Sequence, residues 1–142
     1  MSGYTLTLIP FVVLVWIICG NHVQVTACIT NRYEVHVTNK LPPKSAPLKL
    51  HCASKNDDLG NHILSLNQEI HWSFCDNFFW NTLFHCGASW GSKTCAFNAF
   101  NDHWNGRCDT GFCYWEVRAD GFYMSKHNDD PTSFNKYADW SN

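Results

Sequence analysis

The chain has 142 residues and a formal charge of −2, from 10 Lys and Arg against 12 Asp and Glu. Hydrophobic residues make up 45% and charged residues only 15%. That excludes a disordered chain, which could not bury enough to offset backbone entropy, and a basic protein driven by phosphate neutralisation. The length suits one domain, and eight cysteines point to an oxidised, disulfide-stapled product or to a metal site.

No Asp, Glu, Lys or Arg occurs before Arg32. From Leu6 to Cys19 the chain reads LTLIPFVVLVWIIC. A bilayer span needs roughly 20 apolar residues, and this run is shorter and contains Pro10. It suits the centre of a secretory signal peptide, followed by small residues at Val25-Thr26-Ala27. The rival reading is an uncleaved anchor. The leader is assigned to 1–28, with its end after Ala27 or after Cys28 left open. Beyond Cys28 six cysteines remain, an even set that can pair completely.

Short strands follow, signalled by apolar residues at every second position. Tyr33, Val35 and Val37 share a face, as do Leu48, Leu50 and Cys52. Ile70, Trp72 and Phe74 make the next row. Thr82, Phe84, Cys86, Ala88 and Trp90 make another, and Cys95, Phe97 and Ala99 a shorter one. Cys113, Trp115, Val117 and Ala119 give the clearest, followed by Phe122 and Met124. Gly91-Ser92-Lys93 and Asp120-Gly121 read as hairpin turns. Residues 61–67 are too short to assign, and no helical periodicity is sustained. The class is all-β: an antiparallel two-sheet sandwich of about 7–8 short strands, with a closed barrel as the alternative. The sandwich is assigned to 29–126, and 127–142 is a polar tail, expected to be mobile except where Trp140 docks.

The cysteines lack the two tight pairs of a structural zinc site, so Cys52, Cys75, Cys86, Cys95, Cys108 and Cys113 are read as disulfide partners. His36, His51, His71 and His85 fall opposite the apolar rows. Neighbouring strands could bring two together to chelate zinc or copper, but a polar outer face is the preferred reading and no metal is assigned. Asp57 and Asp58 offer too few oxygens for calcium and are read as turn formers, with Leu59 plugging the loop into the core. A ribonuclease-like group of His51, His103 and Arg107 has no supporting motif, nor has a carboxylate pair of Asp76 and Asp102. No catalytic residue or cofactor is assigned. Phe78-Phe79-Trp80 and Trp104 fit either a recognition surface or core packing.

One set of strings is more specific. Val35-His36-Val37-x-Asn39-x-Leu41 is followed by His51-Cys52-x-Ser54-Lys55-x-Asp57-Asp58-Leu59-Gly60. Then come Trp72-x-Phe74, Thr82-Leu83-Phe84-x-Cys86 with Trp90, and Cys108…Cys113-x-Trp115 ending at Asp120-Gly121-x-Tyr123. From about Val35 to Tyr123 this resembles the plant self-incompatibility protein family, the stigma S-protein homologues of poppy type. The resemblance implies a small secreted β-sandwich without a known catalytic centre. In the best understood members, from poppies, a stigma protein is a ligand for a membrane protein on incompatible pollen. The family's four shared cysteines map onto Cys52, Cys86, Cys108 and Cys113. Cys75 and Cys95 are then additions, and a Cys75–Cys95 bond is expected. The chain has no Asn-x-Ser/Thr sequon, so N-glycosylation is not expected.

The resulting expectation is a secreted, extracellular, non-enzymatic protein ligand in cell–cell recognition. Its partner is expected to be a cell-surface membrane protein, with no nucleic acid and no insertion of the mature chain into the bilayer. The contact candidates, chosen because loops on a rigid scaffold carry function, are Lys40, Lys44, Asp57, Asp58, His103, Trp104 and Arg107. The runner-up is a secreted defence or toxin-like protein acting on membranes or glycans.

Overall fold

The computed structural model describes residues 27–79 and 81–142. The apolar run of the expected leader and Trp80 therefore lie outside the described residues. Among the described residues nine strands are formed: β1 (Arg32–Asn39), β2 (Leu48–Ala53), β3 (Asp58–Leu64), β4 (Glu69–Cys75), β5 (Leu83–Trp90), β6 (Lys93–Asn101), β7 (Phe112–Arg118), β8 (Gly121–Ser125) and β9 (Asn135–Ala138). They make a five-stranded sheet, ordered β4-β1-β7-β8-β9, and a four-stranded sheet, ordered β3-β2-β5-β6. Two sheets with free edges make a sandwich, not the closed barrel.

The period-two rows line its interior. Val35 and Val37, Trp115 and Val117, and Phe122 are buried from the first sheet. Leu48, Leu50, Cys52, Phe84, Cys86, Phe97 and Ala99 meet them from the second. Aromatic rings fill the gap between. Phe97 lies 4.8 Å from both Trp115 and Phe122, and Phe74 lies 4.6 Å from Phe84 and 4.8 Å from Phe100. Such offset and tilted contacts add to the large area these rings bury. The Trp115 indole N–H donates to the Ala99 carbonyl at 2.9 Å, so its polar atom is satisfied inside the core.

The sheet departs from the antiparallel expectation at one place, because β1 and β7 run parallel. A parallel neighbour needs a long crossover, and here β2 to β6, the whole second sheet and β4, supply it. Two strands lack a sequence signal. β3 and β9 are edge strands with mostly polar residues, and Ile63 of β3 faces solvent. The tail, expected to be mobile, forms a short 3-10 turn (Pro131–Ser133), β9 and a final bridge from Ser141 to Thr94 of β6. It thus joins the edges of both sheets. Trp140 is the anchor: its indole N–H donates to the Arg118 carbonyl at 2.9 Å, and its ring lies 4.6 Å from Phe122. The β7–β8 hairpin needs its glycine. Gly121 has φ +148°, and a Cβ there would run into the Ala138 carbonyl of β9.

Among the described residues three disulfides close the fold. Cys52 and Cys86 are direct cross-strand partners on β2 and β5, pointing inward. Cys108–Cys113 closes the loop before β7, and Cys28–Cys75 ties the segment ahead of β1 to the end of β4. The expected Cys75–Cys95 bond is thereby corrected. Cys75 ends β4 in one sheet, whereas Cys95 is the third residue of β6 in the other, next to the opposite end of the sandwich, and stays a free thiol. A disulfide requires Cα atoms within about 7 Å, which that placement prevents.

Candidate recognition surface

Strand register sorts the loops into two ends. Asn39, Leu48 and Leu64 mark one end, with the 40–47 loop, the 65–68 turn and the two hairpin turns. Arg32, Cys75, Ala53 and Leu83 mark the other, with the loops 54–57, 76–82, 102–111 and 126–134. The contact candidates are therefore divided. Lys40 and Lys44 stand exposed at the first end, where the Lys40 ammonium donates to Asn67 Oδ1 at 3.0 Å. Lys44 adopts φ 62° within its proline-rich loop. Asp57, Asp58, His103, Trp104 and Arg107 gather at the Cys75 end.

There the Ser54–Gly60 motif is a folded turn. The Ser54 N–H donates to the Asp57 carbonyl at 2.7 Å, and the Asp57 N–H donates to Ser54 Oγ at 3.1 Å. Asp58 Oδ1 accepts from the Gly60 N–H at 2.9 Å and lies 2.6 Å from His51 Nε2. These two partners, Gly60 first, hold the Asp58 carboxyl below its ordinary value. Gly60 takes the left-handed φ of +78°, and Leu59 packs against the core. The motif thus shapes a loop and spends its carboxylate on the turn.

Asp76 and Asp102 have a similar task. Asp76 Oδ1 accepts from the Asn77 N–H at 2.9 Å and the Thr82 hydroxyl at 2.7 Å, while the Thr82 N–H donates to Asp102 Oδ2 at 2.7 Å. Both carboxylates brace the 76–82 loop from below. Thr30 adds a hydroxyl bond to the Asp76 carbonyl. Asn77 Oδ1 accepts from the Phe79 N–H at 3.0 Å and so shapes the tip.

That braced loop holds two aromatic rings in solvent. Phe78 is 69% and Phe79 87% exposed. Beside them an open groove of about 500 Å³ runs between the 54–57 and 77–83 segments, lined by Ser54, Asp57, Asn77, Thr82, Leu83 and His85 among others. The two adjacent rings form an exposed apolar patch on a hydrogen-bonded frame. The sequence held a signal for it: the rings are flanked by the turn formers Asp76, Asn77 and Asn81.

The 102–111 loop behaves differently. Trp104 is partly buried, with its ring 6.4 Å from Trp115 and 5.8 Å from Tyr137. One side of the ring packs against the core and the other remains partly exposed. Arg107 covers it, with the guanidinium 5.4 Å from the Trp104 ring and 5.2 Å from the Tyr137 ring. His103 is exposed, 3.6 Å from the buried Asp102 carboxylate.

Residues 34–140 match the model of the plant self-incompatibility protein S1 family. S-protein homolog 2 of Arabidopsis thaliana is 31% identical over 116 residues, covering 79% of this chain and 70% of that protein. S-protein homolog 5 of the same plant is 41% identical over 76 residues, 53% of this chain and 58% of that one. Self-incompatibility protein S1 of Papaver rhoeas is 31% identical over 94 residues, 63% of this chain and 66% of that one. The fold matches a solved structure of SPH (Self-Incompatibility Protein Homologue) proteins, described as a widespread family of small, highly stable, secreted proteins from plants. The TM-score is 0.62 at 19% identity, over 80% of this chain and 97% of that one. The matched strings, the paired Cys52–Cys86 and Cys108–Cys113, and the two-sheet architecture agree: the chain belongs to the plant self-incompatibility protein S1 family.

Proposed function

We propose that the protein is secreted and acts without catalysis, as an extracellular ligand that binds a cell-surface protein through the loops at the Cys75 end. The observation that carries this reading is the Phe78–Phe79 pair, held in solvent by the Asp76–Thr82–Asp102 bonds beside the groove. Exposed aromatics on a rigid frame contribute contact area without an ordering cost on binding. Arg107, His103 and Asp57 add polar groups around it. Lys40 and Lys44, at the far end, belong to a separate surface.

Secretion is supported by the apolar Leu6–Cys19 run, the oxidised cysteines and the family. The leader ends after Ala27 in this reading, because Cys28 is needed for the bond to Cys75. Among the described residues no helix is long and apolar enough to cross a membrane.

The test is titration of tagged, oxidised protein onto intact plant cells, with and without prior shaving of surface proteins by protease. Saturable binding that shaving abolishes, and that Phe79→Ser reduces about tenfold or more while the fold is retained, supports the ligand reading. The exposed Phe pair also suits a lipid interface, the defence-like alternative. Binding that survives shaving and transfers to protein-free liposomes or to a glycan panel replaces the ligand reading with that one.

A further inference from the structure

The outer face of the β1–β4 ladder carries a cluster that the recognition loops do not use. His36 and His71 are direct cross-strand partners, and Glu69 stands opposite Thr38, one pleat repeat along the same face. His36 Nδ1 lies 2.7 Å from Glu69 Oε1, and His71 Nδ1 lies 3.6 Å from that same oxygen. One ligand atom from each of the three residues lies within 4.8 Å of the others. The carboxylate is already oriented: the Thr38 hydroxyl donates to Glu69 Oε2 at 3.0 Å, which leaves Oε1 toward the imidazoles.

We propose that His36, Glu69 and His71 bind one divalent transition-metal ion, zinc or copper(II). Two imidazoles and one carboxylate suit these borderline ions, whereas calcium and magnesium prefer all-oxygen sites. Around a tetrahedral ion with bonds of about 2.0–2.1 Å, ligand atoms stand roughly 3.3 Å apart; the two imidazole–carboxylate separations of 2.7 and 3.6 Å bracket that spacing, and all three ligand atoms lie within 4.8 Å of one another. His71 is 61% exposed, free to swing the small distance that closure needs. A fourth position faces solvent and takes water.

The surroundings favour the ion. His36 Nε2 is buried and lies 2.8 Å from Glu34 Oε1, but out of line for a hydrogen bond. Metal on Nδ1 keeps the proton on Nε2, and a slight turn of the ring then aims it at Glu34. A carboxylate behind the far nitrogen is the usual support of a ligating histidine. Tyr114, paired with His36 across β1 and β7, packs its ring 4.9 Å from the imidazole and limits its rotation. Two carboxylates, Glu34 and Glu69, offset the charge of the ion.

The experiment is isothermal titration of the oxidised full-length secreted protein with zinc chloride, and separately with copper(II), in a non-chelating buffer. The expected result is one ion per chain with micromolar or tighter affinity. His71→Ala and Glu69→Gln each weaken it about tenfold or more, while His127→Ala, at an exposed histidine away from the cluster, leaves it unchanged. Copper electron paramagnetic resonance on the unmodified protein reads two nitrogen ligands, falling to one in His71→Ala. No binding by the unmodified protein overturns the proposal. So does binding that the His71→Ala/Glu69→Gln double variant retains, which assigns the ion to other groups such as the Cys95 thiol.

Discussion

The Cys28–Cys75 disulfide spans 47 positions and fastens the segment ahead of β1 to the last residue of the edge strand β4. It sits directly beneath the loop that carries Phe78 and Phe79. A cross-link across that separation restricts the unfolded chain, so Cys28→Ser is expected to lose roughly 2–4 kcal/mol in guanidinium unfolding. Peptide mapping without reduction should recover a linked Cys28–Cys75 peptide. A Cys75–Cys95 peptide instead would refute the assignment.

Cys95 is half-buried on β6. Burial, and then the Asp139 carboxylate, push its thiol above the ordinary value. Less thiolate is then present at a given pH, and the thiolate is the reactive form. Iodoacetamide at mildly alkaline pH is expected to modify Cys95 more slowly than a free cysteine peptide. Cys95→Ser should change stability by no more than about 1 kcal/mol, since it breaks no disulfide and nearly conserves volume.

Asn39 is the polar residue most worth removing. Its side-chain amide donates to the Leu64 carbonyl and its Oδ1 accepts from the Leu41 N–H, both at 2.8 Å, in a site 2% exposed. Asn39→Ala strands two buried backbone groups and is expected to cost about 2–4 kcal/mol. Asn39→Asp should not rescue, because a carboxylate cannot donate to Leu64. Chemical denaturation of both variants checks this.

Trp140 locks the tail across the β7–β8 hairpin. Trp140→Ala removes the bond to the Arg118 carbonyl and the packing on Phe122 and Trp90. A loss of about 2–3 kcal/mol is expected, with faster amide exchange in β9 than in β8. Equal protection of the two strands in this variant would show that the tail does not depend on Trp140.

Acid should act through the loop aspartates. Asp58 is held below its ordinary value by the Gly60 N–H and His51, and Asp130 by Thr132. A carboxyl whose folded pKa is depressed contributes stability above its unfolded value, near about 4, and loses it as pH falls through the lower folded value. Melting temperature is therefore expected to decline below about pH 4. Asp58→Asn should reduce that slope; because Asp58 is fully exposed the change is small.

Much of the fold was legible because a sheet with one buried face writes itself into the chain as alternation. Val35 and Val37, Leu50 and Cys52, and Trp115 and Val117 read correctly from period alone. β3 and β9 did not, since edge strands such as Asp58–Leu64 bury little and carry no such pattern. The parallel pairing of β1 with β7 was hidden for another reason: the neighbour of a strand is set by the path of the whole chain, which no local window contains.

The candidate sites divide in the same way. Composition and spacing alone determined an all-β, disulfide-stapled chain and pointed to its loops as the functional parts. Only the tertiary structure decided which cysteines meet, that Trp104 packs inward while Phe79 stands out, and that His36 faces His71 with Glu69 beside them. Each of those facts depends on cross-strand register and sheet partnership. These are set by burying the interior residues of all nine strands together, so they do not exist until the two sheets close on each other.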